Sequence, residues 1–449
     1  MSSPKNIIFI VLDTLRSDAL SIYNPGIYTP HIERLSLEST IFTNNIASAP
    51  WTIPSHASMF TGKYPMEHHV HFGEYDRDFI TTSKLMNDYR GKTVAEVLKE
   101  QGYSTIGMSA NTGIVPGSGF DRGFDTFTLF DPMGNFTLNN NWSLLKNKVT
   151  KRLGDSRNTI FKNLLLKGSS KDNFSLVHAY FNLRKEVRKS YKYNNFPFNK
   201  SGKSMIDFIF RSSFSQPFFL FVNFMESHEP YNYDFSPEKE QLYSLGLLNP
   251  SHRTIRKVRE SYYSESSLID WEIGEIIRFL IENNLYDDTV IIITSDHGQS
   301  LFEHGFYGHG IYLHDELINV PLIIKKAAKD TRHEVYDKIF SNTGLFDMIK
   351  SIGVDNEFKI PSFPFVISEA DGSWRVPNSL IKNNRRALEK LSRMDSQRRA
   401  IIRGDFKLVL NMKNNEVESF EKKRKPLTHD QFPDEQRELI DTIELLGHD

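Results

Sequence analysis

The sequence predicts an α/β fold with a large, mostly parallel central sheet covered by helices on both faces, plus a small antiparallel sheet near the C-terminus. Three apolar runs, at 7–12 (IIFIVL), 218–224 (FFLFVNF) and 290–294 (VIIIT), are rich in β-branched or aromatic residues and are bounded by polar turns. Such runs are typical of central strands that are buried on both faces. Helical patterns at 93–101 and 264–283 lie between them. This alternation favours a site at the carboxyl ends of the strands.

The C-terminal part of the chain has a different pattern. Beyond about residue 345 the segments are shorter, and 365–369 (FVISE) and 406–410 (FKLVL) predict an antiparallel subdomain with a helix. We therefore expect a catalytic domain at 1–345, a small α+β subdomain at 346–425 and a helical tail at 426–449.

A basic segment interrupts the first of these domains. Residues 136–205 look like a helical insertion, and between positions 146 and 203 there are fifteen Lys or Arg residues against three acids. Two interpretations stay open: the segment is a solvated helical cover, or it is a basic lid that attracts an anionic substrate.

Composition excludes several classes of function. The 55 basic and 56 acidic residues leave a formal charge of −1, so no overall field attracts nucleic acid, and we expect no nucleic-acid partner. The chain has no cysteine, which excludes disulfides, thiolate metal sites, cysteine nucleophiles and any residue made by oxidising cysteine. Oligomeric state and redox compartment cannot be inferred from these numbers.

The sequence also predicts a cytoplasmic protein without a transmembrane segment. The N-terminal apolar run ends at Asp13 after six residues, which is too short for a secretory signal. The apolar stretch at 208–225 is interrupted by Arg211, Gln216 and Pro217, whereas a spanning helix needs about 20 apolar residues.

Acidic residues follow two of the predicted strands directly. Asp13 comes after the run 7–12, and Asp296 and His297 come after the run 290–294. A carboxylate at the end of a buried strand is costly unless it is paired or binds a cation. Asp13 taken alone could cap a helix or pair with Arg16. Two carboxylates and an imidazole together suit a divalent cation.

A third segment, 49–62, contains the candidate nucleophile. Pro54 fits the opening position of a helix over the following residues, where free backbone N–H groups and the helix dipole favour an anion. Thr52, just before it, would present its hydroxyl at that positive end. Alone, the segment could be a simple helix cap; beside Asp13 and Asp296 it indicates an active site.

In these segments the chain resembles the sulfatase family of the alkaline-phosphatase superfamily. Segment 52–65 (TIPSHASMFTGKYP) is similar to the family signature C-x-P-S-R-x-x-x-x-T-G-x-x-P. The resemblance implies an alkaline-phosphatase-like fold. The matching segments, in family order, are 6–13, 28–35, 52–65, 119–125, 228–231, 294–298 and 303–305, with a weaker match at 402–408.

Two departures from the signature bear on the chemistry. In the usual sulfatases its first residue, cysteine or serine, becomes formylglycine, whose hydrate attacks sulfur. Here that residue is Thr52, a secondary alcohol that oxidation cannot turn into an aldehyde, and the signature's arginine is His56. Relatives with an unmodified threonine or serine at this position attack phosphorus and form a covalent phospho-enzyme.

The resemblance also implies a metal site. It implies one divalent ion per chain, bound by Asp13, Thr52, Asp296 and His297. Because His297 replaces the asparagine of calcium-using sulfatases, the ligand set favours manganese or zinc, with magnesium or calcium possible.

Further residues are expected around the transferring group. The resemblance implies that His228 and His309 act as general acid or bind substrate, and that Asn111 and His56 contact substrate. A second ion would need His228, His309 and another carboxylate, with Glu226 or Asp270 available; one metal is the simpler hypothesis. Alternatively, these histidines merely cap turns.

Three functions remain open. The first is a metal-dependent hydrolase or transferase of phosphate esters or phosphonates that acts through a covalent Thr52 intermediate. The second is a sulfuric ester hydrolase. The third is a non-catalytic binding module with the same fold. A small molecule, glycan or lipid could provide the ester.

Overall fold

The computed structural model describes residues 4–71, 79–130, 200–231, 237–327, 332–372, 385–428 and 431–446. Of the predicted basic insertion at 136–205, residues 136–199 lie outside the described residues. Its two interpretations therefore stay predictions.

A nine-stranded sheet forms the centre of the fold, and a five-stranded and a two-stranded sheet lie apart from it. The strands in chain order are β1 (Asn6–Leu12), β2 (Ser39–Ile46), β3 (Ser104–Ser109), β4 (Thr126–Leu129), β5 (Phe218–Phe224), β6 (Thr289–Thr294), β7 (Ser300–Leu301), β8 (Tyr307–Gly308), β9 (Asn319–Lys325), β10 (Glu334–Tyr336), β11 (Phe340–Ser341), β12 (Val366–Asp371), β13 (Gln397–Arg403), β14 (Phe406–Asn411), β15 (Glu416–Lys422) and β16 (Lys425–Pro426).

The large sheet has the order β10-β2-β9-β6-β1-β5-β3-β4, with β11 beside β2. β1 lies between β5 and β6 and is parallel to both. Only β9, which is antiparallel to β2 and β6, reverses the direction in the described part of this sheet. The predicted mostly parallel sheet is confirmed.

Both faces of this sheet are buried. Along β1, Ile8, Ile10 and Leu12 pack into one apolar cluster, while Ile7 and Phe9 pack into another on the opposite face. Alternate side chains of a strand point to opposite faces, so two clusters mean two covering layers. This is why all seven residues of β1 are buried and apolar apart from Asn6 at its start.

Helices supply the covering layers. The predicted helices at 93–101 and 264–283 correspond to Val94–Glu100 and to the C-terminal part of the long helix His252–Glu282. The other α-helices are Pro30–Ser36, Thr52–Thr61, Pro65–His68, Phe79–Lys84, Gly202–Arg211, Pro237–Ser244, Asp315–Ile318, Gly344–Lys350, Arg385–Met394 and Pro433–Leu446. None of the helices in the described ranges is long and apolar enough to cross a bilayer.

The small C-terminal sheet is antiparallel, with the order β12-β13-β14-β15-β16, and its existence was predicted. It contacts the segment that precedes the candidate nucleophile. The N–H of Glu369, on β12, donates to the carbonyl of Ser48 at 2.9 Å, and Oε2 of Glu369 accepts from the N–H of Met66 at 2.9 Å. Arg399, on β13, donates to the other carboxylate oxygen. The exact domain boundaries at 345 and 425 stay a prediction.

Candidate active site

The carboxyl ends of β1, β5 and β6 meet at one edge of the large sheet. The register pairs Leu12 with Phe224 and Val11 with Thr294, so the residues that follow the three strands are neighbours. Asp13 follows β1 and donates its N–H to Phe224 O at 2.9 Å. Asp296 and His297 follow β6. The structure therefore brings together acids that are distant in sequence, as the strand pattern predicts.

Each of the two buried aspartates has one satisfied oxygen and one orphaned oxygen. Oδ2 of Asp13 accepts from Nδ2 of Asn111 at 2.7 Å, and Oδ1 of Asp296 accepts from the N–H groups of Thr14 and His297 at 3.1 and 2.9 Å. Oδ1 of Asp13 and Oδ2 of Asp296 are buried and have no hydrogen-bond partner within the described ranges. Both orphaned oxygens are suited to a cation.

The electrostatics of this pair support the same conclusion. Burial and the neighbouring Asp296 raise the pKa of Asp13 well above its ordinary value, and burial raises the pKa of Asp296 to about 7. Arg16 does not pair with Asp13, because its guanidinium binds Asp18 and Glu303 instead. A bound cation would stabilise these two adjacent buried carboxylates as anions.

His297 directs a lone pair towards these oxygens. Its Nδ1 lies 2.9 Å from the carbonyl of Gly298 and must donate to it, which leaves Nε2 unprotonated in the neutral ring. Burial lowers the pKa of His297 to about 3, so the ring is neutral at physiological pH. Nε2 lies 3.4 Å from Asp296 Oδ2 and 4.0 Å from Asp13 Oδ1. This arrangement matches the second-shell orientation of metal-binding histidines.

Thr52 completes the group of four predicted ligands. Its Oγ1 lies 3.3 Å from Nε2 of His297 and the residue is almost fully buried. The helix begins at Thr52, with Trp51 as N-cap, so Thr52 belongs to the first turn instead of preceding it as predicted. The hydroxyl of Ser55 donates to the carbonyl of Asp296 at 2.6 Å and so holds this helix against the end of β6. The donors present fit a divalent cation held by these four residues.

His56 lies behind Thr52. Its Nδ1 is 3.0 Å from the carbonyl of Thr52 and 3.5 Å from Asp296 Oδ2. Its fully buried ring packs edge-on against Phe60, Phe120 and Phe221, and burial lowers its pKa to about 3. This position favours a role in fixing the nucleophile helix over the predicted substrate contact.

Asn111 is likewise engaged within the protein. Besides its bond to Asp13, its Oδ1 accepts from the N–H of Gly113 at 2.7 Å. These contacts orient a candidate metal ligand, and the contact with substrate stays a prediction.

The two remaining predicted histidines flank a carboxylate that sequence reasoning missed. The ring of His309 lies 4.5 Å from that of His297 and 5.2 Å from that of His228. Glu229 lies between the two, 3.6 Å from Nδ1 of His228 and 3.8 Å from Nδ1 of His309. Burial and the other two histidines lower the pKa of His309 well below its ordinary value. Burial also lowers the pKa of His228, but Glu229 and Asp13 outweigh it, and the net shift is upward.

The carboxylates that the sequence offered for a second ion lie elsewhere. Glu226 accepts from the backbone of Lys200 and Gly202, and Asp270 accepts from the backbone of His31 and Ile32 at the start of a helix. Glu229 could have been found from its place beside His228 in the segment 228–231, which matches the family.

Comparisons with known proteins bear on the family and on the fold. The Sulfatase family model matches residues 5–352. The chain is 25% identical over 372 residues to the ulvan-active sulfatase of Formosa agariphila, covering 79% of this chain and 62% of that protein's length. It is 23% identical to the arylsulfatase of Clostridium perfringens, covering 82% of this chain and 80% of that protein. In fold it is similar to the solved phosphonate monoester hydrolase of Agrobacterium radiobacter, with a TM-score of 0.61 and 19% identity over 99% of this chain and 95% of that one.

Proposed function

We propose that this chain, which belongs to the sulfatase family, hydrolyses esters of a tetrahedral oxyanion with Thr52 as its unmodified nucleophile, and that phosphate or phosphonate esters are its substrates. The observation that carries the proposal is the position of Thr52 Oγ1, 3.3 Å from Nε2 of His297 and beside the two orphaned carboxylate oxygens. The side chain at this position is a secondary alcohol, so oxidation would give a ketone and not the aldehyde of formylglycine.

The residues of the site support direct attack. Thr52 loses its hydroxyl proton to solvent, and Oγ1 forms a bond to phosphorus while the bond from phosphorus to the leaving oxygen breaks. Water later attacks phosphorus and breaks the bond to Oγ1, and one proton of that water restores the Thr52 hydroxyl. A divalent cation held by Asp13, Asp296 and His297, when bound, lowers the pKa of the Thr52 hydroxyl and stabilises charge on the phosphoryl oxygens. His228, whose pKa is raised overall, can deliver a proton to the leaving oxygen.

A second candidate function is sulfuric ester hydrolysis. Both curated relatives described above carry the name sulfatase, and these names support the sulfate alternative better than they support phosphate esters. The phosphonate monoester hydrolase resembles this chain in fold, and its identity is too low to carry an activity. Thr52 therefore favours phosphorus as the central atom of the substrate, whereas the names of the relatives favour sulfur.

The experiment is a comparison of matched aryl esters. Metal-free protein is reloaded separately with Mn²⁺, Zn²⁺, Mg²⁺ and Ca²⁺ and assayed with an aryl phosphate, phosphate diester, phosphonate ester and sulfate ester. We expect phosphate or phosphonate turnover to exceed sulfate turnover by about tenfold or more. Mass spectrometry of enzyme quenched during turnover should find a phosphoryl group on Thr52.

Two variants test the nucleophile. Thr52→Ala should lower kcat by on the order of 10³-fold or more, whereas Thr52→Ser, which keeps a hydroxyl, should retain activity within about tenfold. Sulfate turnover above phosphoester turnover would support the second candidate. No turnover of any ester, with no metal retained, would favour a non-catalytic binding module.

A further inference from the structure

Three side chains next to the proposed metal site form a second group with the chemistry of a cation site. His228, Glu229 and His309 each offer a ligand-type atom, and these atoms lie within 4.8 Å of one another. The side chains are 20%, 18% and 9% exposed, whereas those of Asp13 and His297 are fully buried. The group therefore lies on the more open side of the site.

Hydrogen bonds fix the protonation of both imidazoles. Gln299 donates from Nε2 to Oε2 of Glu229 at 3.0 Å, and a carboxylate can only accept, so this bond settles which end of the amide is oxygen. Oε1 of Gln299 then faces Nδ1 of His309 at 2.8 Å, and Nδ1 must carry the proton. His228 likewise donates from Nδ1 to the carbonyl of Glu229 at 2.7 Å. In the neutral rings, Nε2 of both histidines keeps its lone pair.

Two imidazole lone pairs and a carboxylate attract a cation and not an anion. If His228 and His309 alone bound a substrate oxyanion, Glu229 between them would repel it. A divalent cation removes this conflict, because imidazole and carboxylate are both its ligands. Gln299 and the carbonyl of Glu229 then act as the outer hydrogen-bond partners that metal-binding histidines commonly have.

From this geometry we propose that His228, Glu229 and His309 bind a second divalent cation, so that the centre holds two ions. The two sites adjoin, since the rings of His297 and His309 are 4.5 Å apart. The partial exposure of the second group leaves coordination positions for water or substrate. Only the role of this ion rests on the proposed function: it would stabilise charge on the leaving or attacking oxygen. This role replaces proton delivery by His228, because the ion would occupy Nε2 of that ring.

The test counts ions without any substrate. Full-length protein is stripped of metal, titrated with Mn²⁺ by calorimetry, and analysed for bound manganese after gel filtration. Low-temperature electron paramagnetic resonance then reports whether bound Mn²⁺ ions are magnetically coupled. We expect two ions per wild-type chain with a coupled spectrum.

Matched variants assign the second ion. Glu229→Gln and His309→Gln should each bind one ion with an uncoupled spectrum, and the retained ion shows that the neighbouring site is folded. Gln299→Ala should bind the second ion about 10–100-fold more weakly. His304→Gln is the control, because His304 stacks on His314 and contacts Glu316 outside the group, and it should keep both ions.

Two results would overturn the proposal: one ion per wild-type chain, or two ions that persist in both Glu229→Gln and His309→Gln. Neither readout uses an ester. The ester assays can therefore fail while the chain still binds two ions, and the chain can bind one ion while it still hydrolyses esters.

Discussion

The side-chain amide of Asn111 donates from Nδ2 to Oδ2 of Asp13 over 2.7 Å, while its Oδ1 accepts the N–H of Gly113 over 2.7 Å. The backbone contact fixes the orientation of the amide, so the NH₂ group must face the carboxylate. Oδ1 of Asp13 is left for a cation. Asn111 thus holds one ligand of the proposed ion in place.

We expect Asn111→Ala to weaken binding of the first Mn²⁺ by about 10–100-fold, as loss of an outer-shell partner does. Calorimetric titration measures this affinity. Activity should recover largely at saturating Mn²⁺. An unchanged metal affinity with a raised KM would instead support the substrate contact that the family resemblance implies.

A second prediction concerns metal removal and pH. In metal-free protein, burial raises the pKa of Asp296 from its ordinary 3.8 to about 7. The folded chain then keeps a proton that the unfolded chain releases, so this residue makes stability fall as pH rises from about 4 to about 7, and no further above that. Asp296→Asn removes this titration. In metal-free buffer we expect the variant to melt above wild type, by a margin that grows from about pH 5 to pH 7.

With Mn²⁺ present the order of the two proteins should reverse, because only wild type gains the free energy of binding at the site that includes Asp296. Thermal unfolding monitored by circular dichroism measures both conditions. Because Asp296 also helps to raise the pKa of Asp13, the variant eases the titration of Asp13 as well, and this adds to the difference in the same direction. A margin independent of pH, or unaffected by Mn²⁺, would contradict the assignment.

A third prediction concerns the turn after His297. A Cβ atom at Gly298 would lie 2.0 Å from the carbonyl oxygen of Glu316, which is backbone and cannot rotate away. Gly298→Ala must therefore shift the segment that carries Asp296 and His297. We expect a lower melting temperature and at least about tenfold weaker Mn²⁺ binding. Gly305→Ala is the control: its Cβ meets nothing within 4 Å, and only its positive φ of 77° opposes alanine, at about 1 kcal/mol.

A fourth prediction compares a buried and an exposed ion pair that both include β13. Glu369 and Arg399 are 2.8 Å apart and each is 9% exposed, whereas the side chains of Arg403 and Glu438 are 36% and 60% exposed. We expect Glu369→Ala to lower the free energy of unfolding by about 3 kcal/mol, because it leaves Arg399 buried and unpaired. Glu438→Ala should cost less than about 1 kcal/mol. Urea denaturation measures both, and equal losses would contradict the prediction.

The sequence was sufficient to predict the three central strands and the buried acids that follow two of them. β1, β5 and β6 are continuous apolar runs, and the carboxyl ends of parallel strands lie at one edge, so Asp13 and Asp296 could be brought together without a structure. The position of Thr52 came from the family signature, and its role as nucleophile remains a prediction.

The remaining side chains of the site could not be placed from the sequence, because their directions do not follow from hydrophobic periodicity. Glu229 lies in a bend and Gln299 in a loop, and neither is in a strand, so no alternation indicated which way their side chains point. The family resemblance implies a substrate contact for Asn111, whereas its partner in the structure, Asp13, is 98 positions away. His56 replaces an arginine of the family, and only the structure places its ring among phenylalanines.

The place of β1 at the middle of the large sheet also bears on how the chain is made. This strand is synthesised before both of its partners, which begin at Phe218 and Thr289. β1 therefore stays unpaired in the nascent chain until β5 and β6 have been translated. Contacts between residues so far apart in sequence slow folding. Until they form, the unpaired edges of the apolar strand are exposed to aggregation. The arrangement that brings Asp13 to this edge of the sheet thus lengthens the time for which an apolar strand of the nascent chain is unpaired.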